Sequence, residues 1–438
     1  MLKRKIYDVL LNWKKTKKNE CLLVNGARQV GKTFIIERFG LEQYEKYYYL
    51  NFIESPELKK IFEGSLEPSE IYKKMSLNIA GFSPVPGNTM IFLDEIQRCR
   101  NARTALKFLA LDNRYDFIAS GSLLGIRFND DEEPAEVGSI PVGYEKEIEM
   151  TSLDFEEYLW AIGYGDDPIG ELEKHFSMHT KIDNDVNEKY LRLFREYMVV
   201  GGMPEVVNTI ISTANYQKVF EAQKKILSAY KDDIQHYAKN TEKPKILACY
   251  DSIPRQLSNE YTKFKYRTVS KGGSARKYEN ALDWLVDAGL IKKVFNVSLP
   301  VLPLKAYEEP DEFKIYATDI GLTTAMFGFE TQVALLNGFL SGPAKGGIYE
   351  NLVFDILNKK HIEMHYYRSD EGKQEIEFIF EKCGAVIPVE VKSTRGKTIS
   401  LNNYISKYSP PIAYKLIDGN LGIDGKKLTL PHYMAQFI

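Results

Sequence analysis

The sequence predicts an α/β chain organised in three units, on three observations. Short β-rich runs alternate with helical stretches up to about residue 163, long amphipathic patterns without strand signals fill about 183 to 290, and strands return after Leu290. The units are bounded as 1–163, 164–300 and 301–438. At roughly 100–200 residues per domain, 438 residues make two or three cores, and 44% apolar with 12% aromatic content suffices to fill them.

Met1–Lys18 reads as an amphipathic helix, because Asp8 interrupts its apolar stretch and Lys14 closely follows, unlike a secretory leader. Strands are expected at Cys21–Asn25, Lys46–Asn51, Thr89–Asp94, Tyr115–Ala119 and Glu145–Met150. Helices between them fall at Lys32–Phe39, Ser69–Ile79 and Ala102–Leu111, where apolar residues recur three or four apart. The middle carries helices at Val186–Val200 and Tyr216–Tyr237. The last unit carries a helix at Ile348–Asn358 and strands at Met364–Tyr367, Glu375–Phe380 and Val386–Val391. No apolar run approaches the ~18 residues of a membrane span. Cys21, Cys99, Cys249 and Cys383 lie far apart with no CxxC pair, so a reduced, cytoplasmic protein without a membrane segment is expected.

The total of 58 bases against 60 acids excludes a uniformly cationic nucleic-acid coat, but charge is far less even along the chain than in total. Residues 214–279 hold 14 Lys and Arg against 7 acids, whereas residues 129–157 hold 11 acids and Lys146 alone as a base. Such a basic stretch is either a solvated face or a nucleic-acid footprint. Within it, helices at Lys245–Leu257 (kinked or shortened by Pro254), Tyr261–Lys265 and Arg276–Asp287 precede a β-rich run at Ile291–Val297, the element order of a winged helix suited to duplex DNA.

The strongest chemical signal is Gly26-Ala27-Arg28-Gln29-Val30-Gly31-Lys32-Thr33, a G-x-x-x-x-G-K-[ST] loop between a strand and a helix. Its glycines let backbone N–H groups face a phosphate; Lys32 reaches the β and γ oxygens, and the Thr33 hydroxyl ligates Mg²⁺. The cofactors expected are therefore ATP and Mg²⁺. Met90-Ile91-Phe92-Leu93-Asp94-Glu95 is a buried-strand pattern ending in two carboxylates, with Asp94 expected to hold Mg²⁺ through water and Glu95 to polarise the attacking water. Ser120 ends the next strand and is the preferred γ-phosphate sensor over Ser122. Arg98, Arg100, Arg103, Arg114 and Arg127 are the candidates for an arginine finger.

A second carboxylate set lies near the C-terminus. Glu350 falls on the predicted helix, Glu377 on the polar face of a strand, and Glu390 and Lys392 share a face of the next strand. Carboxylates on adjacent strands bind one or two Mg²⁺ ions that activate water for phosphodiester attack, with the Lys stabilising charge. The six His residues include two pairs four apart, but neither forms H-E-x-x-H, and His361–His365 runs into a strand, so zinc is not expected.

These motifs, together with Ile91–Gln97, Ala119–Ser122, Val200-Gly201-Gly202-Met203-Pro204-Glu205, Lys314–Leu322 and Tyr349-Glu350-Asn351, resemble prokaryotic AAA-type P-loop ATPases that carry a C-terminal domain of unknown function with a PD-(D/E)XK nuclease-like core. The resemblance covers nearly the whole chain. It implies an AAA-like ATPase domain, a winged-helix middle and a restriction-endonuclease-like α/β C-terminus. Carried over, Gly26–Thr33 bind nucleotide, Asp94 and Glu95 serve Mg²⁺ and hydrolysis, and Glu350, Glu377, Glu390 and Lys392 mark the second site, with Glu377 and Glu390 as metal ligands. Two departures stand out: Asp is usual where Glu377 stands, and a base commonly follows the Gly of Pro141-Val142-Gly143, where this chain has Tyr144. The expected function is a Mg²⁺-dependent ATPase whose cycle controls a nucleic-acid-facing C-terminal module, with DNA the candidate partner and endonuclease chemistry a candidate activity. The alternative is a non-catalytic ATP switch that binds a protein partner. A homo-oligomer is a further candidate assembly.

Overall fold

The computed structural model describes residues 2–123, 143–259, 263–369, 374–393 and 398–438. The chain divides into two compact units, residues 4–152 with 287–289, and residues 1–3, 153–286 and 290–438.

The first unit is built on five parallel strands: β1 (Cys21–Asn25), β2 (Lys46–Asn51), β3 (Thr89–Asp94), β4 (Asp116–Ser120) and β5 (Glu145–Glu149). They lie in the order β2-β3-β4-β1-β5. Every residue of β1, β3 and β4 is buried, which is why these strands read as continuous apolar runs and not as alternating ones. On one face Leu23, Leu50, Leu93 and Phe117 pack with Leu106 and Leu109 of the helix Arg100–Asp112. The helix Lys32–Gln43 buries Ile35, Ile36 and Phe39. Parallel pairing aligns the C-terminal ends of all five strands, so whatever follows Asn25, Asp94 and Ser120 gathers at one edge.

The second unit combines helices with an eight-stranded mixed sheet of order β12-β13-β11-β10-β9-β8-β6-β7. Its strands are β6 (Ile291–Val297), β7 (Glu308–Ala317), β8 (His365–Arg368), β9 (Glu375–Lys382), β10 (Ala385–Val391), β11 (Ala413–Ile417), β12 (Gly422–Asp424) and β13 (Lys427–Pro431). The position 300 taken as a boundary in the sequence lies between β6 and β7, which pair antiparallel, and β6 also pairs with β8. One side of the expected wing hairpin is thus occupied by a strand of the C-terminal sheet.

The 22-residue helix Tyr216–Tyr237 starts where the Asn215 side chain accepts from the N–H groups of Gln217 and Lys218. It buries Val219, Ile226, Tyr230 and Ile234 and exposes Lys218, Lys224, Lys225 and Lys231. The helix Lys243–Leu257 continues through Pro254 and stops three residues later. The expected helix Tyr261–Lys265 differs: residues 261 and 262 lie outside the described residues, and the helical turn is Tyr266–Val269. The helix Ala275–Asp287 follows.

Two of the quoted motifs clamp each other. Asp319 accepts from the N–H of Gly202 and of Leu322, each at 2.9 Å, and a Cβ on Gly201 would lie 2.5 Å from its carboxylate. Their residue types are therefore explained by packing. Among the described residues, no helix is long and apolar enough to cross a membrane.

Candidate functional site

β1 leads into the loop Gly26–Gly31, and Lys32 opens the next helix. Gly26 has φ 147°, and a Cβ there would lie 2.2 Å from the Met150 carbonyl oxygen. Gly31, at φ 95°, turns the chain into the helix. Overpacking costs about 1–3 kcal/mol, so Gly26→Ala is expected to lower nucleotide affinity by about five- to 150-fold, as read by titration with a fluorescent ATP analogue.

The Lys32 ammonium donates to the carbonyl oxygens of Gly26 at 3.1 Å and Ala27 at 2.8 Å, which holds it across the loop. Burial pushes its pKa down to about 8, against the opposing pull of Glu95 and Asp94. Asp94 is buried at the end of β3 and collects four donors. One oxygen accepts from the Thr33 hydroxyl at 2.9 Å and the Tyr49 hydroxyl at 3.0 Å; the other accepts from the Glu95 N–H at 3.0 Å and from the Ser120 hydroxyl. A hydroxyl beside a carboxylate is a hard oxygen donor pair of the kind Mg²⁺ prefers. Ser120 is fully buried with its proton committed to Asp94, so it orients that carboxylate.

Glu95 follows with φ 55°, a conformation that costs a non-glycine residue about 1–3 kcal/mol and collects at functional positions. The Gln97 amide donates to its carboxylate. Tyr49, held by the Asn51 amide at 2.8 Å, was not legible as a site residue. Its signal lies in register: Asn51 pairs with Asp94, so β2 ends beside the carboxylate.

Of the candidate arginines, Arg103 pairs with Glu145 at 3.0 Å and Arg114 with Asp112 at 2.9 Å. Arg127 lies outside the described residues, as do Pro141 and Val142. Arg98 and Arg100 follow Glu95 directly, in the turn Ile96–Arg98 and at the start of the next helix. Tyr144 accepts from the Cys21 N–H, at the opposite end of β1 from the phosphate loop. Four residue steps of strand separate them, about 13 Å, and its ring packs on the core. Tyr144 thus packs against the sheet at the end of β1 away from the phosphate loop.

In the second unit Glu350, on the helix Pro343–Lys359, meets β7. The Lys314 ammonium lies 2.8 Å from Glu350 and 2.7 Å from Glu375, and the Tyr316 hydroxyl donates to Glu350. Burial opposes the charge on Lys314, but the two carboxylates outweigh it and hold its pKa above the ordinary value. Lys392 bridges Glu377 at 3.0 Å and Glu390 at 3.2 Å, and the Val391 N–H donates to Glu377. Burial pushes Glu377 up to about 7 despite Lys392, and Glu350 and Glu390 add to the rise. Glu390 is fully buried, so β10 has no solvated polar face, and its Oε2 is without a hydrogen-bond partner. The sequence reading missed Lys314, Tyr316 and Glu375. The alternation of Phe313-Lys314-Ile315-Tyr316 on one strand was the available signal.

The parallel sheet and phosphate loop define a P-loop nucleotide-binding domain, and residues 18–159 match the family model described as an AAA domain. This part of the chain is a P-loop ATPase domain of the AAA type. Residues 191–333 and 345–424 match two further models, each described as a domain of unknown function. No curated protein matches the chain. Similar solved structures include a Walker-type ATPase of Pyrococcus abyssi, 12% identical, covering 75% of this chain and 96% of that one at a TM-score of 0.42. AMPPCP-bound DnaA from Aquifex aeolicus is 12% identical and covers 65% and 88% at 0.30. The Thermotoga maritima RuvB Holliday junction branch migration motor is 12% identical and covers 66% and 89% at 0.27.

Proposed function

We propose that the chain is a cytoplasmic Mg²⁺-dependent ATPase whose nucleotide cycle controls a DNA-facing C-terminal region, with functional divisions at 1–163, 164–300 and 301–438. The observation that carries the reading is the convergence of Thr33, Ser120 and Tyr49 on Asp94 beside the phosphate loop. Bound Mg²⁺ would offset phosphate charge, held by Thr33 directly and by Asp94. Lys32 exchanges its loop carbonyls for phosphate oxygens, and Glu95 takes the proton of the attacking water.

Lys32 also sets a pH dependence. Phosphate oxygens favour its ammonium form, so binding takes up a proton wherever the unliganded lysine is neutral. With that pKa at about 8, ATP affinity is expected to fall as pH rises through 8, and Lys32→Arg to remove the decline across that range. Titrations between pH 7 and 9.5 check this.

The exposed lysines of the helix Tyr216–Tyr237 support a nucleic-acid partner, and DNA retention that does not weaken with added salt would count against one. Endonuclease chemistry is supported by Glu377, Glu390 and Lys392, and the partnerless Oε2 of Glu390 suits a divalent ion. A second reading, an ATP switch that binds a protein partner on a degenerate nuclease-like scaffold, is favoured by Lys314, whose ammonium already neutralises Glu350. Incubating plasmid and linear DNA with ATP and Mg²⁺ or Mn²⁺ separates them. The endonuclease reading expects cleavage by wild type, ATP turnover without cleavage by Glu390→Ala, and neither by Lys32→Ala. Equal survival of DNA with wild type and Glu390→Ala, while ATP turns over, removes the endonuclease reading and leaves the ATPase or the switch. Absence of turnover by wild type, with ATP still bound, removes the ATPase and endonuclease readings and leaves the non-catalytic switch.

A further inference from the structure

Outside both carboxylate sites, β7 and β8 bring Glu308 and His365 together at 2.7 Å, with the His365 Nε2–H donating to the carboxylate. Glu363, exposed two residues before His365, completes a triad whose ligand atoms all lie within 4.8 Å of one another. Among the described residues this is the one group of three such side chains. His365 is 4% exposed, and its second ring nitrogen, Nδ1, is buried without a hydrogen-bond partner. An ion seated against Nε2 would take the place of the proton now donated to Glu308, with the neutral ring carrying its proton on Nδ1 instead, and would bring Glu308 and Glu363 to the same ion as ligands. Glu363 and His365 also line a cavity of about 620 Å³, together with His361 and Glu381, which gives an ion a path from solvent.

We propose that Glu308, Glu363 and His365 hold a divalent transition-metal ion. One imidazole nitrogen and two carboxylates suit Zn²⁺ and its borderline neighbours better than Mg²⁺, which takes oxygen ligands and keeps its waters. The site uses none of the phosphate-loop residues, so ion binding there does not depend on their side chains. The sequence pattern pointed away from zinc because His361 and His365 do not share a helix face. Strand pairing supplies Glu308 from a position 57 residues upstream of His365.

The test is competitive titration of the full chain with Zn²⁺ against a chromophoric chelator, in excess Mg²⁺ to mask the loop site. Wild type is expected to take up one equivalent, and Glu363→Gln and Glu308→Gln to bind at least about tenfold more weakly with ATP turnover unchanged. Co²⁺ in place of Zn²⁺ should give a d–d spectrum without thiolate charge-transfer bands, which separates the triad from the exposed Cys383. Glu363→Gln alters an exposed side chain and carries the test even if Glu308→Gln does not fold. Zn²⁺ uptake equal in wild type and Glu363→Gln, no uptake by wild type, or a thiolate band with Co²⁺ overturns the proposal.

Discussion

Glu95→Gln is expected to lower ATP turnover by about 10²–10⁴-fold, the usual contribution of a general base, while leaving nucleotide affinity within a few fold of wild type. The amide keeps the size and the Gln97 contact but has no basic oxygen for the proton of the attacking water. The strained backbone at 95 is retained, because it is imposed by β3 and the turn Ile96–Arg98 and not by the side chain. Steady-state phosphate release and equilibrium binding of labelled ATP, measured on one preparation, separate the two effects. Parallel losses of binding and turnover would remove Glu95 from the chemical step. Turnover equal to wild type would move the base to another residue.

Lys314→Met is expected to carry the largest stability cost. Lys314 is 1% exposed and sits between Glu350 and Glu375, so the apolar side chain fills the space but strands two carboxylates. Breaking a buried pair from one side costs about 3–5 kcal/mol. The loss concerns the second unit, so hydrogen exchange resolved to β7 and the helix Pro343–Lys359 reads it directly. Adding Glu350→Gln to Lys314→Met should recover most of the loss, since a neutral amide can still accept from Tyr316. A double variant no more stable than Lys314→Met would show that packing, not charge, holds the helix to β7.

The phosphate loop and β3 were legible because both are local. A glycine loop that must turn tightly between a strand and a helix, and an apolar run buried on two faces, impose their residue types over a few consecutive positions. Gly26, Lys32, Thr33 and Asp94 therefore declare themselves. Tyr49 and Ser120 are different. Their roles come from the parallel order β2-β3-β4, which sets Tyr49 and Ser120 on strands flanking Asp94. Each alone is an ordinary strand residue.

The same distinction governs the second unit. Glu350, Glu377, Glu390 and Lys392 stand in recognisable motifs, but their partners do not. That Lys314 captures Glu350, that Lys392 spans two strands, and that the β6–β7 hairpin continues into the C-terminal sheet are consequences of long-range pairing. The sequence by itself determined the α/β class, the phosphate loop and the carboxylate-bearing segments, because backbone conformation and burial periodicity are written in neighbouring residues. Only the tertiary structure decided which charges neutralise one another and that Glu308, Glu363 and His365 meet, because strand order and register are set by the packing of whole elements.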